Sequence, residues 1–295
     1  MHRRTALLAL PTLAIAGGMF WPRRAQAAPA WANDSGNDAH GDWAEVILGD
    51  QRIRFRWIPD GSFVMGSPQE EEGRNEDEGP QQQVTFARGF WMMEACVSQA
   101  IYESVTGNNP SAFRGAQLPV ETVSFEEAEA FNRLLSDRLA GLSLRLPSES
   151  EWEYACRAGS DTPFSREVAR AFDGRSVTSA EVNYRAQAPY LPELVQGSEQ
   201  KWRDTTVEVK DAGFHPNAWG LWHMHGNVFE WCQDTKNASL VELPLDGRPF
   251  IQEEKTARAV RGGAWNIYGR RCRSAARGFL FGTFPHVGFR SVVEG

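Results

Sequence analysis

Apolar positions recur at helical spacing in three stretches of the chain's first half. After Ser124, the residues Phe125, Ala128, Phe131, Leu135 and Leu139 fall on one face, and Gly141 stops the run. Ser124-Phe125-Glu126-Glu127 is a capping box, in which serine and glutamate satisfy each other's free backbone amides. Ser148-Glu149-Ser150-Glu151 repeats that signal and opens a helix ending at Gly159. Ser98 opens a shorter helix to Gly107, with Ile101, Tyr102 and Val105 on one face. Strand signals are weaker. Val46 to Phe55 alternates loosely, Gly61 to Ser67 is a short apolar run between glycines, and Val84 to Trp91 is a further candidate. The acidic stretch Glu70 to Glu78, closed by Gly79-Pro80, reads as a solvated loop. Beyond Gly159 no helical period emerges and no internal repeat is visible. A few helices followed by short-stranded, Gly- and Trp-rich chain predict an α+β domain with much loop.

Composition sharpens this picture. At 295 residues the chain is one large domain or two small ones, taking ~150 residues per domain. With 41% hydrophobic and 23% charged residues, disordered and collagen-like classes are excluded. The 27 Gly and 16 Pro argue against a helical bundle. Residues 1–27 read as a secretory signal peptide: Arg3-Arg4, an apolar run from Ala6 to Phe20, and the small-x-small site Ala25-Gln26-Ala27. The expected products are cleavage after Ala27 and a periplasmic protein. The run is short of the ~20 apolar residues of a membrane span. The arginine pair leaves twin-arginine and Sec export both open. Residues 28–45 are small and polar and read as a flexible linker, with the folded domain over 46–295. Cleavage removes four arginines and no acid, taking the net charge from −7 to −11. Such a surface repels phosphate backbones, so nucleic acid is excluded as a partner.

Four cysteines, Cys96, Cys156, Cys232 and Cys272, remain in the mature chain. Export permits their pairing, and three full pairings exist. No Cys-x-x-Cys occurs, which argues against structural zinc. No Gly-x-Ser-x-Gly elbow supports a serine hydrolase.

Four segments in order carry a resemblance. They are Gly61-Ser62-Phe63-Val64-Met65-Gly66-Ser67 with its acidic run; Arg145-Leu146-Pro147-Ser148-Glu149-Ser150-Glu151-Trp152-Glu153-Tyr154-Ala155; Asn217 to Trp231, containing Gly226-Asn227-Val228-Phe229-Glu230-Trp231; and Arg261-Gly262-Gly263-Ala264-Trp265, followed by Arg273-Ser274-Ala275-Ala276-Arg277 and Gly288-Phe289-Arg290. Together they resemble the formylglycine-generating enzyme, or sulfatase-modifying factor, family. The resemblance spans about Val46 to Gly295 and implies a single domain of C-type-lectin-like topology.

Members that make formylglycine hold copper(I) between two cysteine thiolates five residues apart, just after the Gly-Gly motif. Soft thiolates suit that ion. Counted forward from Gly262-Gly263, the first falls on Ile267 and the second on Cys272. Counted backward from Arg273-Ser274-Ala275-Ala276-Arg277 the register differs, because this loop is shorter. Either way there is at most one cysteine, so neither copper nor formylglycine generation is expected. Cys272 then has three readings: a remnant nucleophile, a disulfide partner of Cys232, or a buried small hydrophobe. Arg270, Arg271 and Arg273 would lower its pKa if they faced it. The family's substrate cleft would lie near Trp265, Asn266, Cys272 and Arg277. Trp265 would stack on a flat ring, Asn266 donate a hydrogen bond and Arg277 hold an anion. Their bland alternatives are core, turn and buried donor to carbonyls.

The resemblance also implies calcium, which takes oxygen ligands of this kind. One site would use carbonyls around Gly226 and Val228 and the carboxylate of Glu230, although His223 stands where the family has Asp or Asn. A second would use Asn183, the carbonyls of Tyr184 and Trp202, and Gln200, an amide where an acid is expected. His223, His225 and Glu230 also suggest a two-His-one-carboxylate iron site, weighed against a hydrogen-bonded structural histidine pair. Three roles remain: an exported enzyme of oxidative maturation, such as the family's member in pyoverdine siderophore maturation; an accessory protein for a periplasmic metalloenzyme of the nitrite-reductase type; and a module binding a peptide or sugar. Each places a small molecule or peptide in a surface cleft.

Overall fold

The computed structural model describes residues 26–294. The arginine pair and apolar run of the expected signal peptide lie outside the described residues. The chain opens with β1 (Asp34–Asp38), β2 (Gly41–Leu48) and β3 (Gln51–Ile58), then β4 (Gly61–Met65), β5 (Gln82–Phe86) and β6 (Phe90–Met93). Helices α1 (Gln99–Thr106) and α2 (Phe125–Arg138) follow, then β7 (Leu144–Arg145) and α3 (Glu149–Arg157). The last strands are β8 (Phe229–Thr235), β9 (Arg258–Arg261), β10 (Arg277–Leu280), β11 (Val287–Gly288) and β12 (Val292–Glu294). The first sheet has the order β1-β2-β3-β6-β12-β7, and the second β10-β9-β8-β11, with β4-β5 a separate hairpin. Strand β12 pairs antiparallel with both β6 and β7, so the end of the chain closes the N-terminal sheet. This is the expected α+β fold of C-type-lectin-like type.

All three helices start where the caps predict. Ser98 accepts from the Ile101 amide, and the capping boxes at Ser124–Glu127 and Ser148–Glu151 are both formed. Phe125, Ala128, Phe131 and Leu135 of α2 are buried in a cluster with Phe55, Trp91, Trp231 and Phe289. Helix α2 ends at Arg138, before Gly141.

Two expectations are corrected. Part of the segment 28–45, expected to be a linker, forms β1 and the start of β2, which pair from Asp34↔Glu45 to Asp38↔Gly41. Trp31 packs edge-on against Phe55 and Trp91 at 5.2 and 5.9 Å. The strand was hidden because β1 is mostly exposed and therefore polar on both faces. The acidic stretch is not wholly solvated either: Glu78 is fully buried and Glu71 nearly so in its side chain.

From Gly159 to Val228 the loop structure is interrupted by one short 3-10 turn, Arg170–Phe172, and an isolated parallel bridge between Asn183 and Gly226. Side chains hold it instead. Asn217 donates to the Ala155 and Cys156 carbonyls and accepts from the Trp219 and Leu221 amides. Such bonds leave no hydrophobic period in the sequence.

Candidate functional site

The recognised motifs meet in the interior as ion pairs. Helix α3 is buried along its whole length, and its acids pair with arginines from its own last turn and from elsewhere in the chain. Glu149 takes Arg277 through two bonds of 2.9 and 2.6 Å. Glu153 pairs with Arg157 and Arg261, and Glu151 with Arg145 at 2.7 Å. Glu78 of the acidic run takes Arg273 at 2.7 and 2.8 Å, and Glu71 joins them. Glu230 takes Arg290 through two bonds of 2.7 Å. Buried charges persist only when paired in this way.

This lattice decides two expected roles. Arg277 does not hold an anionic ligand. Its donors go to Glu149, the Asp77 carbonyl and Asn237, which is the buried-donor alternative with a carboxylate as chief partner. Glu230 accepts from Arg290, Trp152 at 2.8 Å and the Cys96 thiol at 3.0 Å. Each carboxylate oxygen therefore has two donors. A calcium ion there would displace them and face Arg290, so the set Gly226, Val228 and Glu230 does not fit the ion.

The second calcium set differs. Asn183 Oδ1 is buried and has no donor. Its Nδ2 donates to the Thr205 carbonyl and to Asn227. Gln200 Oε1 accepts from the Tyr184 hydroxyl at 2.9 Å and the Ser179 amide at 3.2 Å. Trp202 is tied through its indole nitrogen to the Trp265 carbonyl. The orphaned Asn183 oxygen is of a ligand type that calcium accepts, and the set contains no carboxylate.

The two histidines and Glu230 do not assemble an iron site. His225 has both nitrogens engaged: Nδ1 lies 2.7 Å from the Cys272 carbonyl, and Nε2 accepts from the Ser165 amide at 3.1 Å. His223 Nε2 lies 3.1 Å from the Glu208 carbonyl, with Phe214 against its ring. Burial lowers both imidazoles to about 4. The structural-pair alternative is the one found.

All four cysteines are free, buried thiols. Cys272 packs with Phe164, Tyr184 and Tyr190, whereas Cys232 sits in another cluster with Trp152 and Met224. The expected disulfide alternative is thus replaced by the buried-hydrophobe one. Burial pushes the Cys272 thiol up to about 12, against the lowering effect of Arg271. Arg273 cannot activate it while tied to Glu71 and Glu78. A further contact, Cys156 to His225 Nε2 at 3.6 Å, spans 69 positions and has no local marker along the chain. Burial holds that thiol up at about 12, so this pair is neutral.

Trp265 and Asn266 lie elsewhere again. Trp265 donates to the Pro285 carbonyl at 3.2 Å and meets Phe113 edge-on at 5.2 Å. Asn266 reaches His286 at 3.4 Å, and its Oδ1 is buried without a partner. The four expected cleft residues therefore occupy separate environments. The loop they flank is pinned by Arg185 N–H to the Ile267 carbonyl and by Gly269 N–H to the Ala188 carbonyl. At Gly269 a Cβ would sit 2.6 Å from the Tyr190 nitrogen, so the loop closes on residues 188–192 only with glycine. Beside that seam is a cleft of about 380 Å³ whose lining includes Tyr190, Tyr268 and Arg270.

Comparison with known proteins agrees with this architecture. The family described as "Sulfatase-modifying factor enzyme 1-like domain" matches residues 51–295. A formylglycine-generating enzyme of Streptomyces coelicolor is 31% identical over 174 residues, 54% of this chain and 46% of that one. One from Thermomonospora curvata is 28% identical over 67% of this chain and 63% of its own. This chain thus spans about half to two thirds of those curated relatives. The solved structure of PvdO from Pseudomonas aeruginosa superposes with a TM-score of 0.69 at 26% identity, covering 90% of this chain and 99% of that one.

Proposed function

Because the chain belongs to the sulfatase-modifying factor enzyme 1-like family, we propose that it is an exported member that does not generate formylglycine and instead acts in oxidative maturation of a small secondary metabolite. The observation that carries the negative half is chemical. Ile267 offers no thiolate, and the Cys272 thiol is buried and protonated at neutral pH. A linear two-thiolate copper site would find at most one of its two thiolates here. The positive half is supported by the near-complete overlap with PvdO. It fits the pyoverdine-type siderophore chemistry that the sequence resemblance implies. The chain's own part is to bind and orient the substrate beside the pinned loop, in the periplasm after cleavage at Ala27. Calcium at the Asn183, Tyr184, Gln200 and Trp202 set would stabilise the loop region and give Asn183 Oδ1 its missing partner.

Comparative metabolite profiling tests this reading. A producing strain lacking the gene should accumulate a precursor richer by two hydrogens than the mature compound, and the gene restored in trans should remove it. An unchanged metabolite profile, with co-purification of a metalloenzyme, would replace the maturation role by an accessory one.

A further inference from the structure

The cleft beside the pinned loop has its own chemistry. Pro189, Tyr190, Pro192 and Tyr268 form its walls, and its volume of about 380 Å³ accommodates a bicyclic ring. Tyr190 is a fixed wall: its ring is buried and its hydroxyl donates to the Glu72 carbonyl at 2.9 Å. Tyr268 is the adaptable one, 48% exposed. The Arg185 guanidinium lies 5.7 Å from the Tyr268 ring and 5.7 Å from the Trp202 ring.

Charge gives the cleft an anchor. Among the described residues, Arg261, Arg273, Arg277 and Arg290 each have a carboxylate partner. Arg270 lines the cleft and is exposed, and no ion pair engages it or Arg185 among the described residues. The one acid in the lining, Glu72, is also exposed. Arg270 is the one cation in the lining, with Arg185 beside the Tyr268 wall, so Arg270 is the group placed to receive an anion. Aromatic walls favour a flat ring by stacking, and a guanidinium fits a carboxylate through two parallel bonds.

We propose that this cleft binds planar aromatic carboxylates, with the ring against Tyr268 and the carboxylate on Arg270. The proposal rests on the small-molecule reading above and narrows it to one ligand class.

Calorimetric titration of the mature protein with 2-naphthoate tests it. Two controls separate the contributions: 2-naphthalenemethanol keeps the ring without the charge, and cyclohexanecarboxylate keeps the charge without the ring. Naphthoate should bind at least about tenfold more tightly than either, the scale of one charge-assisted contact at a solvent-facing site. Arg270→Gln should weaken naphthoate about tenfold and leave naphthalenemethanol unchanged. Tyr268→Ala should weaken both ring compounds. Both side chains are exposed, so unchanged melting curves should accompany these losses. Equal binding of naphthoate by wild type and Arg270→Gln, or of naphthoate and naphthalenemethanol by wild type, would overturn the proposal while leaving a small-molecule site in place. Binding of none of the three probes would overturn the proposal and the cleft with it, and metabolite profiling would still judge the maturation role on its own.

Discussion

Replacing Glu230 by Gln perturbs the ion lattice at its most enclosed point. Glu230 and Arg290 have no exposed side-chain surface. The substitution keeps the shape but removes the charge, leaving the Arg290 guanidinium buried without its counter-ion. It also turns one terminus into a donor, facing donors from Trp152, Cys96 and Arg290. Removing one partner of a buried pair costs about 3–5 kcal/mol. At roughly 2–4 °C per kcal/mol for a large domain, the melting temperature should fall by about 6–20 °C. The assay is thermal and urea unfolding of wild type, Glu230→Gln, Arg290→Met and the double variant, each with and without chelator. In the double variant the two changes should be less than additive, because neither charge is then stranded. The loss should be the same with and without chelator, since Glu230 is committed to Arg290 and not to an ion. A loss under about 1 kcal/mol, or one seen only in the presence of calcium, would refute the reasoning.

Three further outcomes follow from the same structure. His223 and His225 are lowered to about 4 by burial, so the stability they confer is present above the unfolded value near 6.5 and is lost as pH falls toward 4. Each contributes up to about 3 kcal/mol across that window, and chemical unfolding at pH 7 and pH 4.5 should show the fall; a flat profile would mean that the imidazoles are not buried neutral. Thiol titration in denaturant without reductant should find all four cysteines reactive, and a shortfall of two would reveal a disulfide. If calcium occupies the Asn183 set, chelator should lower the melting temperature of wild type by mass action and leave Asn183→Ala unmoved; identical curves for wild type would exclude a structural ion.

What could be read from the sequence was local. The serine–glutamate boxes fixed the starts of α2 and α3 because capping needs only residues three apart. The irregular second half was recognised through its lack of period, but its hydrogen bonds could not be. Asn217 and Asn227 act across tens of residues, and nothing nearby in sequence marks their partners. The acidic run shows the same limit more sharply. Glu78 has the sequence context of a solvated loop, yet it is buried because Arg273, 195 positions away, needs it. The motifs that identify the family turned out to be the two halves of such pairs: Glu149 with Arg277, Glu153 with Arg261, Glu230 with Arg290. They mark the scaffold, and so they point to the fold more surely than to the chemistry. Trp265, Asn266, Cys272 and Arg277 were grouped through adjacency to one loop, and turns at Gly263 and Gly269 send them into different surroundings.

The central claim is that this family member has lost the thiolate chemistry of formylglycine generation. It is tested most directly by incubating the mature protein with copper(I), dioxygen and a sulfatase-type cysteine peptide, and measuring the aldehyde by mass spectrometry. With isoleucine at position 267 and a buried, protonated Cys272, the product should not exceed the no-enzyme control. Aldehyde accumulating above that control in proportion to protein would contradict the account.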